Sequence, residues 1–242
     1  MIDKNPLLRP ALAKGFELKG IAAIGSLCQS VRIFRKKRKG RFVFYKFSSR
    51  KLRKNDWLSA NETEDVLFQS QEVLDKSFEK YLYVVRPHTL NNKTNLVVVG
   101  RVDRWSEAGV RQFMCDCAER CVYVLGGTSA HISAQKIIRF SRNGLLTEAR
   151  RTIYEWMIGL GFVSNRYAMH AAVATTKQEW WHGAQVASFA SRLAVASHET
   201  DKVFEDIDLS SEIECDKRNA IYDALMGVEW LIQSEMLDRI LA

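Results

Sequence analysis

The side chains with the clearest binding chemistry lie between Arg32 and Lys54. Twelve of these 23 residues are lysine or arginine, and none is acidic. Cations at this density bind the phosphates of a nucleic-acid backbone, because every contact releases a condensed counterion. The predicted phosphate-binding residues are Arg32, Arg35, Lys36, Lys37, Arg38, Lys39, Arg41, Lys46, Arg50, Lys51, Arg53 and Lys54. The alternative is a solvated basic surface without a ligand, which a block this dense makes costly through self-repulsion.

Aromatic residues are interleaved with these cations in Phe42–Phe47. The alternation predicts a strand, in which residues 42, 44 and 46 face opposite to residues 43, 45 and 47. One of the two sets must face the core, so only the other set is available to stack on bases. Together with Val31–Phe34 and the basic turn between them, this strand is predicted to form a hairpin.

A second candidate site follows from two apolar runs, Leu96–Val99 and Cys121–Leu125. Each run has the pattern of a strand that is buried on both faces. A helix that begins after Ser106 and ends at about Arg120 lies between them, which predicts a βαβ unit with parallel strands. Ligands of parallel sheets bind beyond the carboxyl ends of the strands.

The residues that follow these two runs are the candidates for the second site. Asp103 is the candidate catalytic carboxylate, and free amides at the start of the next helix suit a phosphate. The phosphate-binding candidates are Gly126, Gly127, Thr128 and Ser129. The alternative is structural: Asp103 forms an ion pair with a neighbouring arginine, and Thr128 or Ser129 caps a helix. Neither a dinucleotide fingerprint nor a phosphate-loop lysine motif is present.

The cysteines do not have the spacing of a metal site. Cys115 and Cys117 would lie about 200° apart around a helix, so only Cys117 and Cys121 share a face. Structural zinc sites usually pair their cysteines on a turn. We therefore predict free thiols, no metal ion and no cofactor.

Features of export and of membrane insertion are missing from the sequence. The first residues lack the apolar region of a secretory signal, and no stretch approaches the roughly 18 apolar residues of a membrane span. An odd number of cysteines in a chain of this size also argues against a disulfide framework. We expect a cytoplasmic protein.

Charge is distributed unevenly along the chain. Residues 1–54 hold 16 basic side chains against two acidic ones, a net charge of +14. The remaining residues hold 20 basic and 26 acidic side chains, a net charge of −6. Such asymmetry is typical of a polyanion-binding surface, and nucleic acid is favoured over acidic lipid or protein as the partner.

Together these patterns predict a mixed α+β fold with a strand-rich basic N-terminal part, a central βαβ layer and a helical C-terminal third. A helix is expected over about 62–80, and Tyr81–Val85 is expected to be a strand that ends at Pro87. After Asn143 the chain is expected to be mostly helical.

One continuous domain over residues 1–242 is favoured, because no linker-like segment interrupts the chain. A division near Pro87–Lys93, if present, would separate residues 1–90 from residues 91–242. An apolar stripe in the last helix either closes the chain's own core, which is favoured, or makes a homodimer contact. The stripe consists of Ile221, Leu225, Val228, Leu231 and Ile232.

The function expected from the sequence is non-enzymatic nucleic-acid binding, with DNA placed ahead of RNA. One alternative is an enzyme that acts on a nucleotide or nucleic acid near Asp103 and Gly126–Ser129. Another is a non-catalytic assembly protein whose basic segment binds an acidic partner. No motif assigns a specific reaction.

Overall fold

The computed structural model describes residues 44–58, 67–68, 74, 78–90, 93–127, 129–158, 166–205 and 212–241. These residues form an α+β fold in which an antiparallel sheet precedes a helical part. The strands are β1 (Phe44–Ser48), β2 (Trp57–Leu58), β3 (Leu67–Phe68), β4 (Tyr81–Leu90) and β5 (Lys93–Arg101). The helices are α1 (Glu107–Cys121), a 3-10 helix (Val122–Leu125), α2 (Ser129–Arg142), α3 (Leu146–Ile158), α4 (Arg166–Ala174), α5 (Trp180–Val203) and α6 (Glu212–Leu241).

The sheet has the strand order β2-β5-β4-β1-β3, and all of its described pairs are antiparallel. Strand alternation gives it two different faces. On the inner face, Tyr45, Phe47 and Leu82 join the helices in one apolar core. The outer face carries a smaller apolar cluster that consists of Leu58, Tyr83, Val85, Leu96 and Val98.

Helix α5 is central to the helical part, since it packs against α1, α4 and α6. Its buried alanines, among them Ala184 and Ala187, let the neighbouring helices approach closely. Gly183 marks one such close approach, because a Cβ there would lie 2.7 Å from the carbonyl oxygen of Ala174. None of the helices in the described ranges has both the length and the apolar character needed to cross a membrane.

The predicted βαβ layer is wrong. Cys121 is the last residue of α1, and Val122–Leu125 continues as a 3-10 helix instead of forming a second strand. Val124 and Leu125 are buried in the core that α2 and α4 share. A five-residue apolar run fits a buried strand and a buried helical turn equally well, and here the packing of neighbouring helices selects the helical turn.

Two smaller predictions for the N-terminal part are also wrong. Leu67–Phe68, expected within a helix over 62–80, forms a strand that pairs with β1. Strand β4 does not end at Pro87 but continues to Leu90. Strand β1 pairs with β4 only as far as Val85, so Pro87 has a single neighbour among the described strands. A proline without an N–H is tolerated in a strand where one edge is open.

The α+β class and the helical C-terminal third are confirmed. The hydroxyl of Ser106 caps α1 by accepting a hydrogen bond from the amide of Gly109 at 3.3 Å. In α6, Ile221, Leu225 and Val228 are buried, so this part of the stripe closes the chain's own core. The homodimer contact stays a prediction. So does the number of domains, although β4 and β5 pair across the possible division.

Candidate functional site

A short basic loop, Ser49–Asp56, connects β1 to the edge strand β2 and carries four exposed cations. Three hydrogen bonds join the backbone of this basic loop to the sheet. The amide of Leu52 donates to the hydroxyl oxygen of Tyr83 at 2.8 Å. The amide of Asn55 donates to the carbonyl of Val98 at 2.8 Å, and the amide of Val98 donates to the carbonyl of Asp56 at 3.0 Å. The loop is therefore part of the sheet's frame.

Local contacts also fix the shape of the basic loop. Asn55 has a φ of 70°, a left-handed conformation that asparagine tolerates better than most residues. The carboxylate of Asp56 accepts a hydrogen bond of 2.7 Å from the amide of Arg53, which closes the turn. The hydroxyl oxygen of Ser48 accepts a hydrogen bond from the amide of Arg50 at 3.2 Å. The exposed side chains are Arg50, Lys51, Arg53 and Lys54.

A groove of about 270 Å³ opens where the basic loop meets β2. Its lining residues are Arg50, Lys51, Leu52, Asp56 and Trp57. Asp56 is the only acid among them, and its carboxylate already holds the amide of Arg53. The lining of the groove is therefore mostly polar and cationic, with Trp57 at its border.

The centre of the outer face is buried, but its end beside the basic loop extends this basic surface. Lys46 and Arg101 lie on either side of Tyr83 in one cross-strand row, so the three side chains share a face. The guanidinium of Arg101 lies 5.2 Å from the ring centroid of Tyr81, and Nζ of Lys80 lies 5.7 Å from the same centroid. These distances are typical of cation–π contacts.

Five of the predicted phosphate-binding residues lie on the basic loop or on the outer face beside it: Lys46, Arg50, Lys51, Arg53 and Lys54. Seven lie outside the described residues: Arg32, Arg35, Lys36, Lys37, Arg38, Lys39 and Arg41. The predicted pairing of Val31–Phe34 with β1 lies outside them as well. The predicted alternation in β1 is confirmed, because Tyr45 and Phe47 face the core whereas Lys46 faces outward.

The second candidate site, Asp103 with Gly126–Ser129, was predicted from a pair of parallel strands that the described residues do not form. Asp103 is exposed in the turn between β5 and α1. Gly126 and Gly127 are exposed in a turn after the 3-10 helix, Ser129 begins α2, and Thr128 lies outside the described residues. Because the described strands are antiparallel, no edge of parallel strands brings these residues together. A functional role for them stays a prediction.

The three cysteines of α1 are buried and free. Burial raises the pKa of the Cys115 thiol to about 11, although the nearby Arg142 opposes this shift. Burial also raises the pKa of Cys121 to about 12 and that of Cys117 well above its usual value. These thiols are therefore protonated and unreactive at neutral pH. No group of three or more histidine, cysteine or carboxylate side chains suited to a metal ion occurs among the described residues.

Thiol labelling of the native chain near pH 7.5 is expected to modify Cys215, which is exposed, and to leave Cys115, Cys117 and Cys121 unmodified. The chain unfolded in urea provides the control, because all thiols should then react. Labelling of the three buried cysteines at the rate of Cys215 would contradict their placement. Elemental analysis that finds one zinc ion per chain would contradict the predicted absence of metal.

A buried ion pair joins α1 to α6 behind these cysteines. The guanidinium of Arg120 binds both carboxylate oxygens of Glu229, at 2.8 and 2.5 Å, and the Glu229 side chain is 1% exposed. Burial opposes the charge of Arg120, but the hydrogen bonds to Glu229 and its charge outweigh burial and raise the pKa of Arg120. The pair is a structural link between the two helices.

Sequence reasoning missed the aromatic members of the basic surface. Trp57 was not predicted because it follows the last cation of the block by three residues and β2 is only two residues long. Tyr81 and Arg101 become part of this surface only through strand pairing, beside the buried Tyr83. Their one local signal was the alternation of tyrosines in β4.

Comparison of this chain with protein-family models, with curated proteins and with solved structures found no match. The basic loop, its groove and the outer face of the sheet are therefore the basis on which function is inferred.

Proposed function

We propose that this chain binds nucleic acid through the basic loop and the accessible end of the outer face at Lys46, Tyr81 and Arg101, mainly by contacts to backbone phosphates. The observation that carries the proposal is the set of four exposed cations held on a loop whose backbone is hydrogen-bonded to the sheet. Phosphate contacts of this kind give affinity without reading the base sequence. The expected order of preference is DNA ahead of RNA.

The fixed backbone of the basic loop makes its cations more effective. Ordering a flexible loop on binding costs conformational entropy, which subtracts from affinity. Here the bonds from Leu52 and Asn55 to the sheet, and the turn closed by Asp56, hold the backbone before any ligand arrives. The entropy cost of ordering the loop backbone is therefore not paid at the moment of binding.

Aromatic rings favour nucleic acid over an acidic protein as the ligand. An acidic protein would also bind cations, but it offers no planar bases. The groove contains Trp57, and the outer face contains Tyr81 beneath Arg101. Aromatic rings beside cations are typical of surfaces that contact phosphates and bases at the same time.

Replacing Arg50, Lys51, Arg53 and Lys54 by glutamine is expected to weaken binding to a duplex DNA at least about 50-fold at 0.1 M salt. The slope of log K against log salt should become less steep by about 2 to 3.5, because two to four phosphate contacts disappear. The free energy of unfolding should change by less than about 1 kcal/mol, since all four side chains are exposed. Fluorescence anisotropy over a range of salt concentrations measures both quantities, and an RNA duplex of the same sequence measures the preference for DNA.

A matched control variant loses the same charge elsewhere. Lys136, Arg139, Arg151 and Lys177 are exposed in the helical part, and their replacement by glutamine should leave binding near the wild-type value. Equal weakening by both variants would reduce the effect to net charge and contradict a site on the basic loop. Binding that does not change with salt would contradict phosphate recognition. Binding of polyglutamate as tight as that of DNA would identify an acidic protein as the partner instead.

A further inference from the structure

Trp57 is a large aromatic side chain placed at an exposed edge of the sheet. It is 52% exposed, whereas Trp105 and Trp180 are 0% and 7% exposed in the core. It also lines the groove beside Arg50 and Lys51. The combination of an exposed ring with neighbouring cations, and not exposure alone, points to a ligand that offers both a flat ring and negative charge.

The register of the sheet places a further cation near Trp57. Trp57 pairs with Val97 of β5, and Val97 pairs with Arg86 of β4, so the three residues form one row on the face opposite to the outer face. Neighbouring strands lie about 4.8 Å apart, which puts the backbones of Trp57 and Arg86 about 10 Å apart. Arg86 is exposed. The ring of Trp57 therefore has cations both on the basic loop and on β4 within reach of the phosphates that flank one nucleotide.

We infer that Trp57 is a stacking platform for an unpaired base, and that the ligand of this groove is single-stranded nucleic acid. The inference rests on the proposed function, which it narrows from nucleic acid in general to single strands. Every base has a flat face that an aromatic side chain can cover, so stacking adds affinity whatever the sequence. The cations of the groove bind the backbone on either side of the stacked base.

A duplex cannot use Trp57 in the same way. Its bases already stack on one another, and extruding one of them costs a few kcal/mol. A duplex therefore contacts the cations alone, whereas a single strand contacts the cations and the ring.

The variant Trp57→Ala tests the inference with a 12-nucleotide oligothymidylate and a 12-base-pair duplex as probes. Affinity for the single strand should fall about 5- to 150-fold with an unchanged salt slope, because a stacking contact is lost and no phosphate contact is. Affinity for the duplex should change less than about twofold. Trp57→Phe should retain most of the single-strand affinity, since a smaller ring still stacks. Tyr154→Ala, which removes another exposed ring on α3, should change neither affinity.

A probe without bases gives a second measurement that needs no variant. An abasic strand with the same number of phosphates should bind wild-type protein more weakly than oligothymidylate does. The factor should equal the loss of oligothymidylate affinity in Trp57→Ala. Affinity for the abasic strand should be the same in Trp57→Ala and in the wild type. Wild-type binding of the abasic strand as tight as that of oligothymidylate would overturn the stacking role. So would equal losses of single-strand and duplex affinity in Trp57→Ala. In either case, a loss of affinity in the glutamine variant of the basic loop leaves the proposed function in place, whereas wild-type protein that binds none of the probes overturns both.

Discussion

Replacing Trp105 by alanine is expected to lower the free energy of unfolding by about 3–5 kcal/mol. Trp105 is fully buried between the sheet and the helices. Its ring centroid lies 5.1 Å from that of Phe47 in β1, 5.4 Å from that of Phe78 and 6.1 Å from that of Trp180 in α5. Its indole N–H donates to the carbonyl of Glu79 at 3.0 Å. The alanine variant leaves both a large cavity and an unpaired carbonyl.

Trp57→Ala is the control for this measurement. The same chemical change on a half-exposed ring is expected to cost less than about 1 kcal/mol. Urea denaturation followed by circular dichroism compares the two variants directly. Similar losses of stability in both variants would mean that Trp105 does not join the sheet to the helices in one core. The comparison also separates a tryptophan needed for folding from the one proposed for binding.

Replacing Arg120 by methionine is expected to lower the free energy of unfolding by about 3–5 kcal/mol, because it leaves the carboxylate of Glu229 buried without its partner. The reverse replacement, Glu229→Leu, should cost less. The Arg120 side chain is 24% exposed and can reach water, whereas the Glu229 side chain is only 1% exposed. Arg120→Met should therefore lower the free energy of unfolding more than Glu229→Leu does.

The double variant Arg120→Met/Glu229→Leu is expected to recover at least half of the stability that Arg120→Met loses. Hydrophobic residues often replace a buried ion pair without cost, since neither charge must be desolvated. Arg218→Met is the matched control, because it breaks a largely exposed ion pair with Asp201 and should cost less than about 1 kcal/mol. A double variant no more stable than Arg120→Met alone would mean that the loss comes from packing and not from a stranded charge.

Local sequence patterns were sufficient to predict several elements of this fold. Leu96–Val99 lies within β5, and the alternation of Phe42–Phe47 correctly separates the two faces of β1, although it does not say which face is the inner one. The cap at Ser106 places the start of α1 within one residue. In each case a single short segment contains the whole signal, whether this is the period of two in a strand or the side-chain bond at a helix start.

Elements that depend on distant partners were not predictable from the same patterns. Val122–Leu125 has the composition of a strand, but the helices around it impose a helical turn. Leu67–Phe68 pairs with β1 across more than 20 residues of sequence, and nothing in two residues announces such pairing. The order of the strands in the sheet, on which the outer face depends, is likewise set by contacts remote in sequence.

The candidate site was predictable in its charges and not in its rings. A run of lysines and arginines is visible in the sequence, and such charged side chains are rarely buried. An aromatic residue can be core or surface, and only its position in the sheet decides between them. Trp57 and Tyr81 therefore required the structure, whereas Arg50–Lys54 did not.

The basic loop divides its residues into those that hold its backbone and those that carry its charge. Leu52 and Asn55 bind the sheet through their backbone amides, and Asp56 closes the turn with its side chain. The four cations carry their charge on exposed side chains. Single substitutions of these cations can therefore raise or lower the affinity for a polyanion with little change in the free energy of unfolding. The same division makes this loop a graftable module: any antiparallel sheet that offers one hydroxyl and one edge amide in the right places could carry it.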